Sequence, residues 1–457
     1  MMFSRSLVAT AMVAFALLVS SCSDVPIAPP SANLPARFAG APPKPQLHVS
    51  PIKAEWWSGF ADKELAVLIA TGKSQNPRLR QASAKVEQAR AEVGIASSSL
   101  FPSFSAGVGS SRGDKYGFGT THSNKYSTVS GDWTVDLFGA KHAQERAAEA
   151  KLAAAISDQT QAENELLASI ASTYVDVRYY QRRIQISKDT VANRQRSLAF
   201  VRDSQAAGNS SDLQIVQGEQ LVAKAAASIP NLEVQLESSI DELASLTGQS
   251  VADLKITLRK GKAQPIPRYK IGIGIPADVI RNRPDIQTAE SNFAAAAENV
   301  GVAQAAFYPS LDLSGYLTPT QVIDSGHVNV WLIAANFTAP IFDAGKNKAN
   351  LADAKAKLEE ARAAWSSAVL SAIAEIEKSL AAYNKDDQNV AAQQKLVSTS
   401  RRMIELGQTS FKLGAGPIFN VLDSQRDYLE AQESLTEAVR SQAEHYISLC
   451  KAAPAAK

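Results

Sequence analysis

From residue 76 onward the apolar positions switch between helical spacing and strict alternation, and they do so twice in the same order. Segments 76–99 and 277–306 have helical character and run into an aromatic residue and a proline, LFP at 100–102 and FYP at 307–309. Proline stops a helix and pushes its predecessor toward extended backbone, so strands are expected next. After each proline the pattern does alternate: Phe104, Ala106 and Val108 oppose Ser103 and Ser105, and Leu311 and Leu313 oppose Asp312 and Ser314. Such period-two patterning belongs to half-buried strands. A partner strand follows each across a polar loop. In GDWTVDLF, 131–138, Trp133, Val135 and Leu137 fall opposite Asp132, Thr134 and Asp136, and NVWLIAANFTAPIF at 329–342 is a less regular counterpart. Two β-hairpins are predicted, at about 102–138 and 309–342.

Behind each hairpin lies a window rich in strong helix formers, with no Gly or Pro from Ala140 to Ala207 and none from Lys346 to Leu406. Helices are predicted over 140–207 and 346–412, the first about 100 Å long at 1.5 Å per residue. In the second, Leu351, Ala354, Leu358, Ala361, Trp365, Ala368 and Ala372 follow spacings of three and four, the seam of a coiled coil. A long dimeric coiled coil would show the same seam. Each long helix ends in a Gly-bearing turn, at Gly208 and at Gly414, and returning helices are predicted over 212–247 and 417–452.

The two halves are copies. A shift of 207 residues places Pro77 on Pro284, Ala82 on Ala289, Ala89 on Ala296, Val93 on Val300, Gly94 on Gly301 and Pro102 on Pro309, and Gly208 falls on Gly414 at a shift of 206. The organisation is therefore a first repeat over 52–260, a second over 261–452 and a short tail, 453–457.

The amino terminus is of another kind. One Arg, an apolar run from Leu7 to Val19 and then small residues form a secretory signal over 1–21. Val19-Ser20-Ser21-Cys22 reads as a lipobox, which makes Cys22 the site of lipidation, an anchor of several acyl chains. Ser23 rather than Asp after it resembles lipoproteins sorted to the outer membrane. The Pro-rich stretch 22–51 is the tether. Beyond the signal no run of 18 apolar residues exists, so no helix of the mature chain is expected to span a membrane.

Composition narrows the function. The formal net charge of +2 over 457 residues gives no field that would select nucleic acid. Five scattered His and two Cys offer no metal site, cofactor site or disulfide framework. No nucleophile elbow, HExxH or paired catalytic carboxylates occur; KIGIGIPA at 270–277 lacks the frame of a dinucleotide loop and puts Pro276 where the helix should continue. The chain reads as a non-enzyme. Its fold class is α+β, mainly α, with tandem long helical hairpins.

Four strands with one apolar face cannot close a barrel, and an open sheet in lipid leaves its edge amides unpaired. Several chains must share one barrel; three give 12 strands, with the polar faces lining a wet lumen and Trp133, Val135 and Leu137 facing lipid. Two other readings compete: a structural trimeric coiled-coil envelope lipoprotein, and a periplasmic adaptor without channel activity. An adaptor needs a split lipoyl-like β domain and a single long hairpin, which this pattern lacks.

WWSGFADKELAVLIATGKSQNPRLRQASAKVEQARAEV (56–93) and IPADVIRNRPDIQTAE (275–290) closely resemble signatures of the TolC-type outer membrane factors, in particular the lipid-anchored efflux lipoproteins of the NodT kind. The resemblance covers roughly 50–452. It implies a homotrimeric channel-tunnel: a 12-stranded barrel in the outer membrane, a trimeric α-barrel crossing the periplasm, and an end whose turns at Gly208 and Gly414 are docked by a periplasmic adaptor fed by an inner-membrane pump. It further implies a periplasmic gate of Phe419, Asp423 and Arg426, spaced four and three so that they share a helix face. The first repeat offers only Leu213, Gln217 and Gln220 there, and the family's Tyr and Arg latch positions hold Phe411 and Gly416. An ordinary solvated Asp with an i, i+3 Arg partner would have the same spacing.

Overall fold

The computed structural model describes residues 35, 37–39, 50–113, 122–206, 208, 210–268, 270–272, 276–322, 326–413 and 415–454. The signal, Cys22, most of the tether and Gly414 lie outside the described residues. In chain order come β1 (Ser50–Pro51), a 3-10 turn (Trp56–Phe60), α1 (Lys63–Gln75), α2 (Pro77–Ser98), β2 (Ser103–Gly113), β3 (His122–Val135) and α3 (Ala140–Ala206). Then follow α4 (Asp212–Ala227), α5 (Ile229–Thr247), α6 (Val251–Leu258), β4 (Ile271–Gly272), α7 (Pro276–Arg281) and α8 (Pro284–Ala305). The chain closes with β5 (Ser310–Val322), β6 (Gly326–Thr338), α9 (Lys346–Lys412) and α10 (Ile418–Ala452).

The helices α3 and α9 are 67 residues each, about 100 Å of continuous backbone. Two expected helices are each broken in two. The span 212–247 divides at Ser228, because Pro230 has no N–H to donate back along the helix, and α5 starts afresh with that proline in its first turn. The span 277–306 divides at Asn282 and Arg283 because Pro284 drives its predecessor out of helical backbone.

Two compact units cut across both repeats. One comprises Ala84–Asp158 and Gln287–Ala368. It contains an antiparallel sheet of order β2-β3-β5-β6, so the hairpins are joined side by side through β3 and β5, with Trp133 opposite Leu313 and Val135 opposite Leu311. Within it α8 packs on α9 through Phe293 and Val300 against Ala354 and Leu358, with Leu351 and Ala361 at the margin. The seam in α9 is thus filled, over that stretch, by the same chain.

The other unit comprises the described residues of Asn33–Ser83 with Gln159–Ile286 and Val369–Lys457. Here the repeat is visible as chemistry. Asn76 caps α2 by accepting from Arg78 N at 2.7 Å and donates to Leu246 O near the end of α5 at 2.8 Å. In the second repeat Arg283 takes that place. It holds both oxygens of Asp285 at 3.0 and 2.8 Å, Glu375 at 2.7 Å and, at 2.7 Å, the carbonyl of Ala452, the last residue of α10. Burial opposes the guanidinium charge, but Asp285 and Glu375 outweigh it and keep the Arg283 pKa above its ordinary value. The RPD motif is therefore a structural lock. A second lock is Arg178, fully buried, whose guanidinium bonds Glu64 at 2.7 Å, the Tyr174 hydroxyl at 3.0 Å and Lys260 O at 3.1 Å. Cys450 is buried, and burial pushes its thiol pKa up.

Candidate functional site

The sheet has two chemically distinct faces. Direct cross-strand partners share a face, so the register groups Phe104, Gly131, Gly315 and Ile333 in one row and Ala106, Val129, Leu317 and Trp331 in the next. Trp133 with Leu313 and Val135 with Leu311 and Phe337 continue the same face toward the helices. Its large side chains are exposed: Phe104 at 76%, Trp331 at 68% and Ile333 at 82%. The opposite face carries a polar ladder, Ser105 to Ser130 at 2.8 Å, Thr128 to Thr318 at 3.0 Å and Thr134 to Asp312 at 2.7 Å.

Trp133 and Val135 thus lie on the apolar face, and the Trp133 indole N–H donates to Leu100 O at 2.8 Å. Leu137 does not belong to the strand, contrary to the alternation read from 131–138. β3 stops at Val135, the Leu137 N–H turns back to Val135 O at 3.0 Å, and Asp136 accepts from His142 N at 3.0 Å in the first turn of α3. The carboxylate that starts the helix ends the strand. Val135, as the last strand residue, sits at the helix-proximal end of β3 rather than midway along it.

The turns belong to the other unit. Gly208 has φ +77, a left-handed conformation that costs a residue without a side chain nothing. After it a capping box opens α4, Ser211 with Gln214, as the polar run AAGNSSDLQ requires. In the second turn Pro417 precedes α10, and Ile418 and Val421 bury against Val201 of α3. That contact orients the helix. Phe419 is 57% exposed on the other side, and Asp423 and Arg426 follow it on that face, joined at 2.8 Å.

Two acids beyond the expected three take part. Arg426 also reaches Asp427 at 3.1 Å and Glu430 at 3.9 Å. The Asp427 bond and the Asp423 charge hold its pKa above the ordinary arginine value. The face thus presents one exposed aromatic ring beside three carboxylates sharing one guanidinium. Asp427 and Glu430 were legible only as the positions one after and four after Arg426, a spacing that many solvated helices share. Phe411 is not a hydroxyl latch: its ring stacks edge-on against Phe200 with centroids 5.1 Å apart.

Higher on α10, Glu444 accepts from the Ser172 hydroxyl at 2.7 and 2.9 Å, while Arg440 pairs with Asp176 at 2.5 Å. Burial raises the Glu444 pKa, against the lowering effect of Ser172. Among the described residues no cluster of His, Cys, Asp and Glu fit to hold a metal occurs, and no helix is long and apolar enough to cross a membrane.

The family model described as outer membrane efflux protein matches residues 68–249 and again 275–453, one match per repeat. Nodulation protein T of Rhizobium leguminosarum bv. trifolii is 33% identical over 444 residues, 95% of this chain and 94% of the relative. The pyoverdine export outer membrane protein OpmQ of Pseudomonas aeruginosa is 29% identical over 458 residues, 96% of this chain and 95% of its own length. Among solved structures the outer-membrane channel OprN superposes with a TM-score of 0.86 at 26% identity, covering 93% of this chain and 98% of that one. The open state of the Neisseria gonorrhoeae MtrE outer membrane channel gives a TM-score of 0.85 at 26% identity, covering 94% and 97%. Duplicated helices, a two-faced sheet and these likenesses agree: the chain belongs to the outer membrane efflux protein family, as a TolC-like, NodT-type outer membrane factor.

Proposed function

We propose that three copies of this outer membrane efflux channel close one 12-stranded barrel in the membrane and continue it as a helical tunnel into the periplasm, with Cys22 lipidated as an additional anchor. The observation that carries the reading is the sheet itself. Its edge strands β2 and β6 leave a row of backbone amides unpaired within the chain, while one face is apolar and exposed and the other polar and hydrogen-bonded. An open sheet of this kind is unstable in lipid, and closure with further copies satisfies every edge amide. Antiparallel order permits it, since β6 of one copy runs opposite to β2 of the next. Twelve is an even strand number within the range of outer membrane barrels.

The apolar face, with Trp133 and Val135, meets lipid; the Ser, Thr and Asp ladder lines the lumen. The turns at Gly208 and Gly414 are the docking points for a periplasmic adaptor, itself fed by an inner-membrane pump. Phe419, Asp423 and Arg426 form the periplasmic gate, three rings brought together by threefold symmetry. The tunnel is passive, and its cargo is whatever the pump delivers. Planar bilayer recording of the purified full chain tests the reading: single-channel conductance steps from a species of trimeric mass are expected. A trimer that never conducts would favour the structural stalk instead.

A further inference from the structure

Inside one compact unit the two halves of the chain already meet, through β3 on β5 in the sheet and through α3 on α8. Fixed offsets relate the halves. An offset of 206 carries α3 onto α9, each 67 residues long and each preceded by a positive-φ glycine, Gly139 and Gly345. An offset of 207 carries α2 onto α8, with Gly94 on Gly301. Every contact between the halves therefore has a counterpart on the outer side of α9 and β6 and of α2 and β2. In the inner seam Ala143 is buried, and a side chain at Gly301 would lie 3.6 Å from its Cβ. The counterparts Ala349 and Gly94 are both exposed, and a side chain at Gly94 would meet nothing within 4 Å. A glycine inside a helix weakens it, and its use is the close approach of another element. Nothing among the described residues makes that approach.

A neighbouring contact differs on both sides at once. Arg146 pairs with Glu298 at 2.8 Å, whereas their counterparts, Ala352 and Ala91, are exposed alanines. Exchanging one partner alone would leave a half-buried charge unpaired, so a double exchange marks residues that face each other in both seams. The strands agree. Carried by the same offsets, the pairs Gly131 with Gly315 and Asp132 with Ser314 set Phe337 opposite Val108 and Thr338 opposite Gly107 of another copy. Phe337 and Val108 both lie on the apolar face, and Thr338 and Gly107 both on the polar one. A slip of one residue would set apolar against polar along the whole edge.

Resting on the trimer reading above, we infer that the surface between copies repeats the surface between the halves of one copy. β6 pairs with β2 of the next chain in that register, and α9 lies on its α2 with Ala349 against Gly94 and Ala352 against Ala91. Disulfide trapping in the full chain tests the contact, and Cys450 is buried and does not compete. Ala143→Cys with Gly301→Cys calibrates the method within one chain, since 3.6 Å falls inside the roughly 3.5–4.5 Å between Cβ atoms of disulfides. Ala349→Cys with Gly94→Cys should link as fully but between chains, giving covalent trimers on denaturing non-reducing gels. Ala356→Cys with Gly94→Cys, about two turns further along α9, should give less than about a tenth of that yield. Native mass is measured on every variant. Trimers without links between chains, or equal linking from Ala356, overturn the contact and leave the trimer standing; a parent chain that is not trimeric removes the barrel reading and the contact with it. Should the cysteines prevent assembly, a charge pair decides. Ala352→Arg should cut the trimer fraction, and adding Ala91→Glu should restore it by rebuilding the inner ion pair across the chain boundary; no restoration overturns the contact.

Discussion

Arginine placed on the apolar face at different depths should report the membrane directly. Val129 lies in the row of Ala106, Leu317 and Trp331 and is 52% exposed. It is six residues from Val135, the helix-proximal end of β3. At 3.3 Å per residue that is about 20 Å of strand, and a tilt of 35–45° makes it about 15 Å of depth in an apolar band about 25 Å tall. Val129→Arg therefore sits near the midplane and should cost about 2–4 kcal/mol per chain, a factor of about 30 to 900 in the folding equilibrium. Val135→Arg, at the boundary, should cost only about 0–1 kcal/mol. Thr128→Arg faces the polar ladder and gives up a single neutral hydrogen bond, to Thr318, worth about 1 kcal/mol. The assay is urea unfolding of liposome-reconstituted protein, with the trimer fraction read on semi-native gels. Equal losses from Val129→Arg and Thr128→Arg would refute the face assignment; a loss at Val135 as large as at Val129 would refute the depth.

Cys22→Ala should abolish metabolic labelling by palmitate and impair delivery to the outer membrane, and unchanged labelling would end the lipoprotein assignment. Asp423→Ala should reduce cation selectivity, Arg426→Ala should increase it, and Phe419→Ala should raise conductance; parental values from all three would leave an ordinary solvated helix face. Arg283→Ala strands Asp285, Glu375 and the Ala452 carbonyl, at a cost of about 2–4 kcal/mol in urea titration, below the full figure for a buried pair because both carboxylates are about a third exposed. Asn76→Ala, losing a cap, should cost about 1 kcal/mol, and the reverse order would contradict the lock. Glu444→Gln tests linkage. Its folded pKa is raised by burial, so its contribution to stability is present below the usual glutamate range, about 4.3, and is lost as pH rises through the folded value. The variant should melt above the parent at pH 7 and the gap should close below pH 4; a constant gap would show that the carboxyl does not titrate in the fold.

Much of the fold was legible because the signals were long. Windows without Gly or Pro, alternation after Pro102 and Pro309, and the repeat itself leave few alternatives. The failures are local and share a cause. Helix-forming composition runs on across Pro230 and Pro284, where each helix restarts with the proline in its first turn, and strand alternation runs on past Asp136, whose carboxylate has a second use as the cap of α3. Period-two patterning runs on through a turn when the next residues happen to alternate; only the hydrogen bond from Leu137 back to Val135 reveals the stop. Of the proposed gate, the shared face of Phe419, Asp423 and Arg426 was readable from spacing. The wider acidic set around Arg426 was not, because solvated charges at those intervals carry no distinguishing pattern. The partnership of Arg283 with Ala452, 169 residues away, has no sequence signal at all.

That partnership bears on how a duplicated gene can diverge. Asn76 and Arg283 occupy equivalent places and grip equivalent carbonyls, Leu246 and Ala452, yet one is a neutral amide and the other a cation. The cation needs Glu375, and the corresponding stretch of the first copy holds Ala168 and Ser169 instead. An arginine transplanted to position 76 would lack the counterpart of Glu375, and an asparagine at 283 would leave Glu375 and Asp285 without the guanidinium they share. Each half has thus accumulated substitutions that only its own neighbours tolerate, so single-residue exchange between the halves is closed off even though their backbones remain alike. Recombining this protein with a relative is safest when the proline-flanking residue, its acid and the end of the returning helix travel as one inherited set.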